Sequence, residues 1–321
     1  MIAHKKRLTT PLTRLYSSLF IQHDVQVWVK RDDQNHPLIQ GNKWHKLKNN
    51  LMAAQAQGKT SLVTFGGAYS NHIAATAAAA QLYGLQAMGI IRGDELEFQP
   101  EKWSHTLKTA QQHGMQLQFA SRQTYRQKNH PSYLQTLQNQ YPHAYILPEG
   151  GSNELAIMGF KELMQDINRQ YPEWTHLFCP VGTGGTFTGL TLFSQEGINP
   201  KHNSLKKVVG VAVLKQGHYL LEQIENWLSQ MQNQAQAPQI KKELTQWKLL
   251  TEYHDGGYGK KSQTGIDFQN EFEKEFAILL DPIYTSKAFY AFYDQLKQGL
   301  IPKGSKIILM HTGGLQGRKQ T

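Results

Sequence analysis

Four stretches of this sequence set reactive side chains beside glycine, the residue that lets a ligand approach the backbone closely. The first runs from Val29-Lys30-Arg31-Asp32-Asp33, across a polar gap, to Gly41-Asn42-Lys43-Trp44-His45-Lys46. A helix begins near Lys43. A lysine at a helix start inside a cleft meets the positive end of the helix dipole, which favours its neutral amine. A neutral amine is the form that condenses with an aldehyde in Schiff-base chemistry. Lys46, one turn later on the same face, is placed to meet a phosphate. Taken alone, the same residues read more simply as a solvated basic helix start.

The second stretch, Thr64-Phe65-Gly66-Gly67-Ala68-Tyr69-Ser70-Asn71-His72, precedes an alanine-rich helix. Ser70 or Asn71 at a helix N-terminus leaves N–H groups pointing outward, suited to a carboxylate; a plain Ser/Asn cap is the other reading. In the third, His176 to Cys179 leads into Pro180-Val181-Gly182-Thr183-Gly184-Gly185-Thr186 and then a helix. Such a turn cradles phosphate through its N–H groups. Its pattern is not that of a dinucleotide fingerprint, because the sixth place counted from Gly182 is Phe187, and no Gly-Lys-Ser/Thr of a nucleotide loop follows. Cys179 beside it reads as a buried small apolar residue rather than a nucleophile. The fourth group comprises Gly257-Tyr258-Gly259, Leu280-Asp281-Pro282-Ile283-Tyr284-Thr285-Ser286-Lys287 and Met310-His311-Thr312-Gly313-Gly314. Its tyrosines are proton carriers or packing residues.

Alternating short strands and helices must position these groups. Val25 to Lys30, Ser61 to Phe65, Gln86 to Ile91, Gln116 to Phe119, Ala144 to Leu147, His176 to Pro180, Lys207 to Leu214, Trp247 to Tyr253 and Lys306 to Met310 read as strands. Helical patterns cover Lys43 to Gln57, Asn71 to Leu82, Glu101 to His113, Glu154 to Gln170, Thr186 to Gln195 and Tyr284 to Leu296. The alternation predicts an α/β fold of two lobes, each a mainly parallel sheet with helices on both faces. Residues 51–148 form a smaller inserted lobe in this reading, and residues 1–50 and 149–321 the larger one.

Composition narrows the function classes. No run of about 18 apolar residues occurs, so a membrane span is not expected. A basic start without an apolar core, and a single cysteine, point to a reducing, cytoplasmic setting. The net charge of +10 raises nucleic acid as a partner. That charge is scattered, however; only His4-Lys5-Lys6-Arg7 and Gly317-Arg318-Lys319 cluster, as solvated tails. Nucleic-acid binding is therefore not expected, and anionic small ligands account for part of the excess.

Together the motifs resemble the 1-aminocyclopropane-1-carboxylate deaminases and D-cysteine desulfhydrases, pyridoxal-phosphate (PLP) enzymes of tryptophan-synthase-β type fold. The series Lys-Arg-acid-Asp, Gly-Asn-Lys, Gly-Gly-x-x-Ser-Asn, glycine-rich loop, Gly-Tyr-Gly, Asp-Pro-x-Tyr and His-x-Gly-Gly spans Lys30 to Gly314. The resemblance implies that Lys43 holds the cofactor, with Asn42 at its ring hydroxyl. Lys46 and the backbone of Gly182, Thr183, Gly184, Gly185 and Thr186 would hold its phosphate. Ser70, Asn71 and His72 match the substrate-carboxylate loop, with Ser70 also a nucleophile or proton carrier, and Tyr258 and Tyr284 match two active-site tyrosines. Thr285 and Thr312 stand where the deaminases carry Glu and Leu, as in the desulfhydrases. A hydroxyl beside the pyridine nitrogen leaves it largely neutral, which suffices when a thiolate departs from Cβ. The expected activity is thus elimination from D-cysteine, giving pyruvate, ammonia and sulfide. Deaminase activity on 1-aminocyclopropane-1-carboxylate, and a PLP-binding protein with little chemistry, are the alternatives. A homodimer is implied by the family alone. The sequence departs from the family pattern in a Gln34–Gln40 loop without glycines and in His45, where arginine is usual.

Overall fold

The computed structural model describes residues 9–198, 205–233 and 245–318. The cluster His4-Lys5-Lys6-Arg7 and Lys319 lie outside the described residues. Its strands are β1 (Leu12–Leu15), β2 (Gln26–Lys30), β3 (Ser61–Gly66), β4 (Gln86–Arg92), β5 (Gln116–Ala120), β6 (Ala144–Ile146), β7 (His176–Val181), β8 (Lys206–Ala212), β9 (Thr245–Leu250) and β10 (Lys306–Met310). They form two sheets: six strands in the order β1-β2-β10-β7-β8-β9, and four in the order β5-β4-β3-β6. Every pairing is parallel except the edge pair β1–β2.

Side-chain alternation along the strands builds a core on each face of each sheet. On β7, Leu177, Cys179 and Val181 enter the cluster around Phe160, Phe187 and Phe193, while Phe178 enters the opposite one with Phe289 and Phe292. On β3, Leu62 joins the cluster that includes the helix Asn71–Leu82, and Val63 and Phe65 pack on the other face against Tyr125 and Leu137. That helix is buried from Asn71 through Ala80, and its alanines allow close packing. Cys179 is fully buried, and burial pushes its thiol pKa up, as befits a core residue.

Two predicted helices differ in extent. The expected Glu154 to Gln170 helix is two, Glu154–Met158 and Lys161–Gln170, separated at Gly159, where the chain packs so tightly on the carbonyl of His45 that a Cβ would lie 2.0 Å from it. The helix expected from Glu101 starts instead at His105, because the Ser104 hydroxyl caps it by accepting from the Leu107 N–H. Arg318, expected in a solvated tail, is held: its guanidinium donates to Glu273 Oε2 at 3.0 Å.

Parallel strands direct their carboxyl ends to one edge, where ligands bind in this architecture. The loops and helix starts after β2, β3, β4, β5, β6, β7, β9 and β10 carry the residues described next. The helix Asn42–Ala56 leads the chain from the first sheet toward the second.

Candidate active site

Lys43 lies in the first turn of the helix Asn42–Ala56, whose entry is fixed by Gly41. At φ +64, Gly41 presses on the β10 loop so closely that a Cβ would fall 1.9 Å from the Thr312 carbonyl oxygen, so only glycine fits. The Asn42 N–H donates to that carbonyl at 3.3 Å. Where the Gln34–Gln40 loop lacks glycines, polar side chains shape it instead: Asn35 bonds both the N–H and the carbonyl of Gly41, each at 2.9 Å. His45 faces away from the site, its Nε2 2.8 Å from Asp32 Oδ2.

A cavity of about 520 Å³ opens in front of Lys43. Asn42, Lys43, Lys46, Ser70, Asn71, His72, Gly182, Thr183, Gly184, Thr186, Tyr258, Tyr284 and Thr312 all line it. Two of the predicted residues do not. Gly185 packs behind the wall on Ser152, and Thr285 stands behind Thr312 with their hydroxyls 3.4 Å apart.

Charge inside the cavity is tuned by burial. The Lys43 amine is lowered to about 8, first by loss of water and against the opposing pull of the Asp281 carboxylate. Lys46 is lowered well below the usual lysine value by burial and then by Lys43. Its amine donates to the Gly150 carbonyl at 2.9 Å and the Ser152 hydroxyl at 2.7 Å, with Thr183 Oγ1 at 3.5 Å. Among the described residues the N–H groups of Gly182, Thr183 and Gly184 have no protein acceptor. Those of Gly185 and Thr186, opening the helix Gly185–Leu192, have none within the helix. Backbone N–H groups without acceptors, beside a buried lysine on the cavity wall, suit an anion.

Opposite lies the loop after β3. Ser70 is the cap residue of the helix Asn71–Leu82, yet its side chain makes no capping bond, leaving the hydroxyl to the cavity. Asn71 donates to Asp281 Oδ2 at 3.2 Å, and Asp281 also accepts from the Tyr284 N–H at 2.6 Å. The His72 ring is bound to Thr64 Oγ1 at 2.8 Å, and burial together with Lys43 and Lys46 holds it neutral. The Tyr258 and Tyr284 rings meet edge to face at 6.4 Å, and burial raises both phenols, so each keeps its proton at neutral pH.

An amine poised to be neutral, facing an anion cradle, is the donor set for an aldehyde that carries a phosphate. Residues 6–313 match the family described as pyridoxal-phosphate dependent enzyme. The chain belongs to that family. Within it, the group is that of the 1-aminocyclopropane-1-carboxylate deaminases and D-cysteine desulfhydrases, with the tryptophan-synthase-β type of fold. A Pyrococcus abyssi protein provisionally named 1-aminocyclopropane-1-carboxylate deaminase is 30% identical, over 91% of this chain and 86% of its own. The D-cysteine desulfhydrase of Serratia proteamaculans is 27% identical, over 95% and 91%. The solved structure of an ACC deaminase homologue superposes with a TM-score of 0.79 at 27% identity, covering 97% of this chain and 90% of that one. PLP fits this site on its own geometry. The Lys43 amine would hold its aldehyde, Lys46 with the Gly182–Thr186 turn its phosphate, and Thr312, backed by Thr285, would stand beside its ring.

This PLP enzyme has further cavity residues that the sequence motifs passed over: Arg92, Arg122, Tyr125, Arg126, Lys128 and Glu149. Arg92 ends β4, and Arg122 and Arg126 share one face of the helix Arg122–Arg126 after β5. Basic residues just beyond two adjacent parallel strands were the available signal.

Proposed function

We propose that the enzyme eliminates the β-substituent of a small D-amino acid, converting D-cysteine to pyruvate, ammonia and sulfide. The observation that carries this reading is the Thr285–Thr312 hydroxyl pair, 3.4 Å apart beside the cavity that Lys43 enters. Hydroxyls leave a pyridine nitrogen largely neutral, an electron sink adequate when the departing group is a thiolate.

PLP, when bound, supplies the aldehyde that captures the substrate amine and the ring that stabilises negative charge at Cα. The chain's own residues would do the rest. The Ser70 loop binds and orients the substrate carboxylate through the first N–H groups of its helix. The Lys43 amine would take the Cα proton, directly or through the Ser70 hydroxyl. The Cβ–S bond breaks with its electron pair on sulfur, and the Tyr284 hydroxyl on the cavity wall donates a hydrogen bond that steadies the leaving thiolate. The released enamine takes up water to give pyruvate and ammonia. A cytoplasmic homodimer is the setting this reading carries with it.

Lys43→Ala should abolish both the Schiff-base absorbance and the release of pyruvate and sulfide from D-cysteine. A wild-type protein that takes up no PLP defeats the reading. The deaminase reading draws on the provisional name of the Pyrococcus abyssi relative. Production of 2-oxobutanoate from 1-aminocyclopropane-1-carboxylate in preference to pyruvate from D-cysteine would establish it instead.

A further inference from the structure

The cavity carries more positive charge than cofactor and amino acid explain. Lys46 and the Gly182–Thr186 turn answer a phosphate, and the Ser70 loop answers the substrate's α-carboxylate. The outer wall then adds four cations: Arg92, Arg122, Arg126 and Lys128. Two are matched, Arg122 by Glu95 at 2.6 Å and Lys128 by Glu149 at 3.3 Å. Glu149 is further occupied by the Tyr125 hydroxyl at 2.7 Å. Arg92 and Arg126 have no carboxylate partner among the described residues.

Arg92 is exposed at the mouth of the cavity and leans toward the site. Gly67 has no side chain, and a Cβ there would stand 3.2 Å from the Tyr258 ring and 3.7 Å from Arg92 Nη2. The guanidinium carbon lies 5.9 Å from the centre of the Tyr258 ring, and its charge is felt by Tyr125, Tyr219 and Tyr258, all on the cavity wall. An unmatched guanidinium fork beside an active-site tyrosine is a receptor for a planar or tetrahedral anion.

We propose that this outer wall is an anion subsite. The preferred substrate carries a second negative charge on a β-substituent that can depart with its electron pair, a sulfonate on Cβ, a phosphate ester, or a carboxylate borne on a sulfur or oxygen leaving atom, recognised by Arg92 together with Arg126. The inference rests on the elimination reading and narrows it: D-cysteine reports the chemistry, and an anionic β-substituent is the better fit. Elimination from such a substrate balances as before. The Cα proton passes to Lys43, the bond from Cβ to the substituent breaks with its electron pair on the departing anion, and water enters afterward.

The test titrates the PLP-loaded protein by calorimetry with D-aspartate and D-asparagine, which match in shape and differ in charge and have no group to eliminate. D-Aspartate should bind about tenfold tighter or more, the size of one charge-assisted contact. In Arg92→Gln/Arg126→Gln that ratio should collapse toward one. The ratio is the readout because a merely structural lesion weakens both ligands alike. O-Phospho-D-serine against D-serine, compared by dissociation constant in the wild type and in the double variant, repeats the test with a phosphate: a preference lost in the variant supports the subsite, and equal affinities count against it. Equal affinities for the first pair, or a preference that survives the double substitution, overturn the subsite whether or not D-cysteine is turned over. A preference that vanishes in the variant, with no pyruvate from any substrate, upholds the subsite and removes the elimination reading.

Discussion

Lys43 is held between two opposed influences: burial, which drives its amine toward the neutral form, and the Asp281 carboxylate, which favours the ammonium. The helix dipole was the cause legible in the sequence, but loss of water is the larger one, and sequence alone does not reveal how deeply a residue near a helix start is enclosed. With a pKa of about 8 against the ordinary lysine value of 10.5, the reactive fraction grows as pH rises through about 8. The rate at which PLP-free protein takes up PLP, followed by absorbance, should therefore rise with a midpoint near 8. In Asp281→Asn the stabilising carboxylate is lost, so the midpoint should move to lower pH. A midpoint near that of free lysine, or an upward shift in the variant, would contradict the assignment.

Elements decide whether the tyrosines reach the cavity. The loop bearing Tyr258 is fastened to the helix Thr285–Lys297 by Lys287, whose buried amine donates to the carbonyls of His254 at 2.8 Å and Gly257 at 2.9 Å. Lys287 touches no part of the cavity and acts as a positioning residue. Lys287→Met would remove the amine's bonds to both carbonyls, which keep the N–H groups of Gly257 and Lys260, at a cost of about 1 kcal/mol. It should lower kcat while PLP affinity changes little, because the cradle lies elsewhere; an unaltered kcat would exclude the positioning role. Such ties join segments far apart in the chain, and no local pattern announces them. Strands rich in Val, Ile and Leu, such as β7, β8 and β10, were legible because burial on both faces leaves continuous apolar runs. The helices Pro131–Gln140 and Gln263–Phe276 were not, since glutamine and asparagine interrupt their apolar stripes. The edge strand β1, partly exposed, carries Arg14 in a four-residue run too short to show alternation.

At the scale of the molecule, the cavity lies where the two sheets face each other, and Lys46, like Asn71 with Asp281, is a side chain that crosses between them. It rises from the helix Asn42–Ala56 and bonds Gly150 and Ser152, which follow β6 of the smaller sheet, and approaches Thr183, which follows β7 of the larger. The two-lobed architecture was legible from strand–helix alternation, and the Lys46 position from its spacing to Lys43. The turn Glu149-Gly150-Gly151-Ser152 was passed over, because its contribution appears only once the lobes close on each other. Burial and Lys43 both press the Lys46 amine to give up its proton, so an anion in the adjoining cradle should relieve that pressure and stabilise the fold. Inorganic phosphate, which needs no Schiff base, isolates this effect. Thermal unfolding in rising phosphate should shift upward, by the equivalent of about 2.7 kcal/mol at a hundred times the dissociation constant. Lys46→Met should be less stable by about 1 kcal/mol or more, because the Gly150 carbonyl loses the Lys46 amine while the Ser152 hydroxyl keeps Thr183, and should lose most of the phosphate response. A sulfate or chloride series at matched ionic strength separates specific occupancy from general salt effects. If the variant kept the full phosphate shift, the cradle would lie somewhere other than the turn between β7 and its helix, and the arrangement of the two lobes around Lys46 would need another explanation.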